Sequence, residues 1–269
     1  MRIGINQPYY LPYIGLFERI AACDLFIINP YTKLNRQGAN HRRVKIIQIH
    51  PDADKNYLYL TQNIARDSSG EFFCNIFLNA AFKKRQEKHV KTIYTIYKGA
   101  PHFTFAQDIL DLMLNFSFKS FGEYNYSLVH FIASKLGIEE KLKYLTAGDI
   151  NPKLFQESWN SSFSNRASYH SYLVCESSNA TCMLAGQNGP LWVDETSFLD
   201  RGICVKYQLN DFKAYPQYLG SRKSQEFIPG LSTIDLLFNL GPAAKDFLGG
   251  NIKIVNKHFL LKNKHLTGR

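Results

Sequence analysis

Residues 2–29 read RIGINQPYYLPYIGLFERIAACDLFIIN, and this stretch decides the fold class. Two continuous apolar runs, RIGIN and DLFIIN, flank a segment in which Ile14, Phe17 and Ile20 recur at helical spacing with Leu16 beside them. Continuous apolar runs read as strands covered on both faces, so the unit is strand, helix, strand with the two strands parallel. Such crossovers are right-handed and belong to α/β sheets, whose ligands collect at the carboxyl ends of the strands. QPYYLP, residues 7–12, falls at that end. A helix entering after Pro12 turns its free backbone N–H groups toward whatever the tyrosines enclose, a geometry suited to an anion or a substrate carbonyl.

Downstream, VKIIQI and NYLYLTQNI alternate like a hairpin added to the sheet. Residues 79–98 carry Phe82, Val90, Ile93 and Tyr97 on a helical repeat, ending at Gly99 and Pro101. FAQDILDLMLNFS and NYSLVHFIASKLGI are two further helices. A helix over about 165–176, the strand TCMLAG, the loop QNGP, a helix at ETSFLDRG and the strand ICVKYQL form another parallel unit, and STIDLLFNLGPAAKDFL closes the chain as an amphipathic helix. The expectation is one α/β domain over 1–269, with a mainly parallel sheet, a nucleotide-binding-like βαβ start and an inserted helical section at about 79–145.

The chain has 269 residues, 45% hydrophobic and 20% charged, and no apolar run approaches the roughly 18 residues of a membrane span. Five cysteines without a C-x-x-C spacing, and no apolar leader in MRIGINQPYY, fit a reducing cytoplasm. The net charge of +10 gathers in NHRRVK, KKRQEKHVK and the tail. None of these runs has the pattern of a nucleic-acid module, so the charge suits an anionic small molecule or an acidic protein partner. Scattered histidines point to no metal, no cofactor is implied, and the absence of a P-loop or G-x-S-x-G elbow argues against covalent catalysis.

QPYYLPYIGLFERIAACDLFII, KHVKTIYTIYKGAPHF, LAGQNGPLWVDETSFLDRGICVKYQ and FIPGLSTIDLLFNLGP, in that order, resemble the WbqC-like family along nearly the whole chain. The resemblance implies an α/β protein of bacterial polysaccharide and related biosynthetic clusters, a transferase placing an aminoacyl group such as glycine on an amino sugar. Family members commonly carry an acidic pair after the second strand and a tryptophan-containing basic loop. Here no acid lies between Asp24 and Asp52, which puts a general base at that position in doubt, while the basic part persists at Arg36, Asn40, Arg42 and Arg43. A looser similarity links the opening unit to nucleotidylyl transferases, whose H-x-G-H signature follows the first strand; PYIGLFE keeps Gly15 and has no histidine.

The candidate residues follow from both readings. Gln7 orients a carbonyl, with Tyr9 and Tyr10 as phenolic donors, against the alternative that Pro8 and Pro12 shape a turn on which the tyrosines pack. Arg36, Arg42 and Arg43, with Asn40, clamp a phosphate or form a solvated charge run; on a strand only one of Arg42 and Arg43 can face a pocket. His89 is a lone helical histidine that the family match promotes to candidate general base. Gly186, Gln187 and Asn188 bind sugar hydroxyls or make a tight turn. Asp235 and Asn239 share one helix face, as a second half of the pocket or a core network.

Together these give a transferase moving an aminoacyl or acyl group from an activated donor, an acidic carrier-protein thioester being attractive, to a small-molecule amine. The alternatives are an ATP-using nucleotidylyl-transferase-like enzyme and a non-catalytic sugar- or partner-binding protein. These readings share one spatial assumption, that the proline-tyrosine linker, the arginine loop and the final amphipathic segment wall one cavity.

Overall fold

The computed structural model describes residues 1–34, 41–50, 55–65, 68–156, 161–218, 226–248 and 252–262. The opening unit forms as its pattern dictates: β1 (Arg2–Asn6), α1 (Ile14–Ala21) and β2 (Leu25–Ile28), with β1 and β2 parallel and Ile3 opposite Leu25. Next come β3 (Arg43–Ile47), β4 (Tyr57–Thr61), α2 (Ala80–Tyr97), α3 (Phe103–Ala106), α4 (Ile109–Leu114) and α5 (Phe121–Leu136). The chain continues through β5 (Leu142–Tyr144), α6 (Lys153–Gln156), α7 (Arg166–Ser177), β6 (Cys182–Ala185), α8 (Glu195–Leu199) and β7 (Cys204–Asn210). It closes with α9 (Thr233–Leu240), β8 (Ile252–Val255) and α10 (Lys257–Lys262).

The fold is α/β. Six strands form one sheet in the order β5-β2-β1-β6-β7-β8, parallel except for the β7–β8 pair. From β1 the chain builds outward to β2 and β5, then crosses to the other flank of β1 to add β6, β7 and β8. The direction of growth therefore reverses between β1 and β6, and at such a point the crossovers on either side part and leave a crevice above the strand ends.

Strand alternation sorts the core into two layers. Phe26, Ile28 and Leu184 point to the face covered by α1, α2, α4, α5 and α9, whereas Ile3, Ile27, Met183 and Val205 point to the face covered by α7 and α8. The β3–β4 hairpin does not join the sheet, contrary to the sequence expectation; it is a two-stranded sheet of its own. Along most of it one face is apolar, with Val44, Ile46 and Leu60 buried, while Arg43 and Tyr59 are exposed on the other.

Side-chain caps set several helix starts. Asn79 accepts from Phe82 N at 2.8 Å and Asn165 from Ser168 N at 2.8 Å, which places α2 and α7 where the pattern puts them. The α5 start lies four residues before the NYSLVHF run, because Ser120 accepts from Glu123 N at 3.2 Å while Glu123 accepts from Lys119 N at 3.0 Å. Gly137, at φ +69°, ends α5 in the left-handed conformation its lack of a Cβ permits. The apolar sequence contexts of Cys23 and Cys182 suit inert core thiols, but Cys182 is joined in a disulfide to Cys204, in register on β6 and β7. Cys23 fits that reading: it is buried, and burial pushes its thiol up to about 12.

Candidate functional site at the strand switch point

In the linker between β1 and α1 the neighbouring side chains of Tyr9 and Tyr10 leave on different sides. Tyr9 turns into a cavity over the sheet. Tyr10 turns away into the core, its hydroxyl 2.8 Å from His89 Nδ1 and 3.1 Å from Gln86 Oε1. The backbone between them is tied down by distant elements. Asn125 Nδ2 donates to Pro8 O (3.1 Å), Tyr10 N to His41 O (2.9 Å), Ser232 Oγ to Leu11 O (2.8 Å), and Thr233 N and Oγ1 to Pro12 O (2.9 and 2.8 Å). Leu11 is held at φ +42° with its side chain fully buried, a left-handed conformation that costs a leucine roughly 1–2 kcal/mol. These bonds fix the path of the strand-end linker, and Leu11 carries the strain.

The cavity holds about 610 Å³. It opens at the switch point, bounded by Asn6 and Gln7 at the end of β1, Asn29 after β2, the turn 186–189 after β6, and the start of α7. Tyr31, Phe72 and Trp192 supply apolar wall, and the amides of Asn6, Gln7, Asn29, Gln187, Asn188 and Gln208 are among the neutral polar groups. Arg19, Lys33 and Arg166 line it, and among the described residues no carboxylate does. A concave, partly apolar space with a few convergent polar groups is how small-molecule sites are built, and this one is electropositive.

Arg19 is its centre. The side chain is 6% exposed, and its Nη2 donates to Asn6 Oδ1 at 2.6 Å. Its guanidinium carbon lies 5.2 Å from the Phe26 ring centroid. Its Nε has no hydrogen-bond partner, and no carboxylate pairs with it among the described residues. Burial lowers its pKa, the expected sign for a cation withdrawn from water without a counter-charge. Gly186 allows this placement, since a Cβ there would lie 2.9 Å from Arg19 Nη1. Burial also raises the Tyr9 phenol, with the Arg19 cation opposing, and it raises Tyr13, whose hydroxyl accepts from Asn210 at 3.0 Å.

Of the residues singled out in the sequence, Gln7, Tyr9, Gly186, Gln187 and Asn188 meet at this cavity. The others lie elsewhere. Tyr10 and His89 bond to each other on the far side of the linker, and burial, then the Arg85 charge, pushes the imidazole down to about 4. Arg42 Nη1 donates to Gln62 O beside β4, and Arg43, on the opposite face of β3, stacks its guanidinium 3.8 Å from the Tyr59 ring centroid. Asp235 is fully buried and accepts from Tyr97 (2.8 Å) and Tyr215 (2.7 Å); Asn239 donates to Asp235 O at 2.7 Å and accepts from Tyr218 N. Helix α9 thus meets the linker through Ser232 and Thr233, and its polar pair forms a core network away from the cavity; among the described residues the linker, the arginines and the final helix do not wall one cavity, contrary to the sequence expectation. Arg36 and Asn40 lie outside the described residues.

Sequence reasoning missed Arg19, Arg166 and His170, all of which line the cavity. For Arg19 a signal was present: with Leu16 and Ile20 it occupies the inward stripe of an amphipathic helix, where a charge calls for an explanation. Arg166 and His170 share one face of α7, but nothing in their local sequence says that this face meets β1.

Fold and cavity together define an α/β protein with a cation-lined cavity at a strand switch point. The chain belongs to the WbqC-like protein family, whose model matches residues 7–247. It is 27% identical over 253 residues, 92% of this chain and 97% of the other, to the uncharacterized protein Rv1507c of Mycobacterium tuberculosis. No solved structure matches it.

Proposed function

We propose that the protein is a transferase in which an amine, on a nucleotide-linked amino sugar or similar anionic metabolite, receives an aminoacyl group such as glycyl, or another acyl group, from a carrier-protein thioester. One observation carries the reading: the buried Arg19 guanidinium faces the cavity with no carboxylate opposite it. A substrate diphosphate or carboxylate supplies that missing charge. The amides of Gln7, Gln187 and Asn188 match sugar hydroxyls, and the aromatic wall suits a base or sugar ring. Family membership agrees with a biosynthetic role.

In this scheme the amine nitrogen attacks the thioester carbonyl, a C–N bond forms, the C–S bond breaks, and the thiolate leaves. Gln7 and the backbone N–H groups at the start of α1 steady the developing oxyanion. The proton lost by the amine passes to His170, the imidazole at this cavity, and from there to the departing sulfur; His89 stands outside the cavity and has too low a pKa for that work. A basic protein suits an acidic carrier as donor.

The test combines calorimetry with a nucleotide-linked amino sugar and mass spectrometry of the product formed with a glycyl-loaded carrier protein. Binding that weakens about tenfold or more in Arg19→Met, with amide formation lost in His170→Gln, supports the proposal. Absence of sugar binding overturns it; binding without amide leaves a binding protein. A nucleotide also suits a switch-point cavity, so the second reading is an ATP-using nucleotidylyl-transferase-like reaction, favoured if added ATP releases pyrophosphate.

A further inference from the structure

A second cleft, of about 430 Å³, lies between β4 and α2, on the far side of the linker from the switch-point cavity. Arg85, Lys88, His89 and Thr92 follow one another at helical spacing along its α2 wall, and Arg42 and Gln62 face them from the hairpin side. Three of these six side chains are cations, and no carboxylate lines the cleft among the described residues.

Gln62 makes the cleft more than a basic patch. It is fully buried, and its Oε1 has no hydrogen-bond partner. The amide orientation is fixed by a chain of bonds: Asn125 Nδ2 donates to Pro8 O at 3.1 Å, which leaves Asn125 Oδ1 to accept from Gln62 Nε2 at 2.8 Å. Turning the Gln62 amide over would set two oxygens against each other. The orphaned atom is therefore an acceptor, and a bare anion cannot satisfy it. His89, 4% exposed, presents its ring to the same space while Nδ1 is engaged by Tyr10.

We propose that this cleft is a second binding site, separate from the switch-point cavity, for a small phosphate monoester that also carries a hydroxyl or N–H donor. Arg85 and Lys88 take the phosphate, with Arg42 at the edge, and the donor group meets Gln62 Oε1. The occupied cleft abuts Gln62 and His89, which hold the linker through Asn125 and Tyr10, so both cavities share one wall.

The proposal stands independently of the transferase reading and is tested on the full chain by calorimetry with ribose 5-phosphate, inorganic phosphate and ribose. Titrations are made in wild type and in Arg19→Met, which silences the other cation-lined cavity. Ribose 5-phosphate binds in both backgrounds, several-fold more tightly than inorganic phosphate, while ribose alone does not. Arg85→Ala with Lys88→Ala, two exposed positions whose loss spares the fold, weakens it about tenfold or more, and Gln62→Leu abolishes the preference for the ester. No binding of ribose 5-phosphate in the Arg19→Met background, or binding there that ignores the Arg85 and Lys88 substitutions, overturns the proposal. Where Gln62→Leu fails to fold, the surface double variant still decides.

Discussion

Replacing Arg19 with methionine tests whether the switch-point cavity is built for an anion, because it separates stability from binding. At 6% exposure the guanidinium has two compensations: the 2.6 Å bond to Asn6 Oδ1 and the Phe26 ring at 5.2 Å. A hydrogen bond from a charged group contributes about 1.5–3 kcal/mol, and a desolvated cation–π contact about 2 kcal/mol. Against these stands the cost of burying an unbalanced cation, several kcal/mol even after relaxation. The folded state lowers the pKa of this group, yet the guanidinium remains charged near neutrality, so the cost is present in full there. Methionine keeps most of the stem and removes the charge. Arg19→Met is expected to be more stable than wild type by about 1–3 kcal/mol, which for a chain of this size raises the unfolding midpoint by roughly 5 °C. The same variant loses most of the stabilisation that a nucleotide-linked sugar gives wild type. Thermal and urea unfolding with and without the sugar measure both effects. A variant destabilised by a kcal/mol or more, with its response to the sugar intact, would show that Asn6 and Phe26 already satisfy the charge and would refute the reasoning.

Three further outcomes follow from the same geometry. Gly186→Ala brings a methyl into the space of Arg19 Nη1 and should weaken anion binding about tenfold with little change in urea midpoint, since a side-chain tip can move aside. Burial pushes His41 and His89 down to about 4, against an ordinary value of 6.5, so the unfolded chain binds more protons as pH falls through this window. Stability should therefore drop on acidification, by about 2 kcal/mol per histidine at pH 5, and His89→Gln should remove its share of the slope in urea titrations at pH 7 and 5. Tyr97→Phe takes one donor from the buried Asp235 carboxylate and strands the Ile47 N–H, costing about 1–3 kcal/mol by urea unfolding while sugar binding stays unchanged.

Much of the architecture was legible because it is written locally. The continuous apolar runs around α1 announced parallel strands, and Asn79, Asn165 and Gly137 marked helix ends by mechanisms that involve only near neighbours. The three-residue β5 and the antiparallel edge strand β8 were missed; LKY and IKIV are too short to show a period. The hairpin was recognised, but its place off the main sheet depends on which surface its single apolar face meets. The candidate site was half legible for the same reason. Gln7, Tyr9 and the 186–188 turn lie at strand ends, where position follows from the crossover itself. His89 was advanced on the family resemblance and Asp235 and Asn239 on their shared helix face, whereas their partners Tyr10, Tyr97 and Tyr215 come from other segments of the chain.

The bonds that hold the linker have a consequence for biogenesis. The groups that fix the Leu11 and Pro12 carbonyls, Ser232 and Thr233, are translated more than two hundred positions after them. Pro8 and Tyr10 can be held earlier, by Asn125 and His41, but until Ser232 and Thr233 arrive the Leu11 and Pro12 carbonyls lack these partners and the tension at Leu11 is free to relax. The linker's path is thus completed only once Ser232 and Thr233 have emerged, and a product of premature termination before that point would possess β1 and β6 without the bonds that hold Leu11 and Pro12 between them.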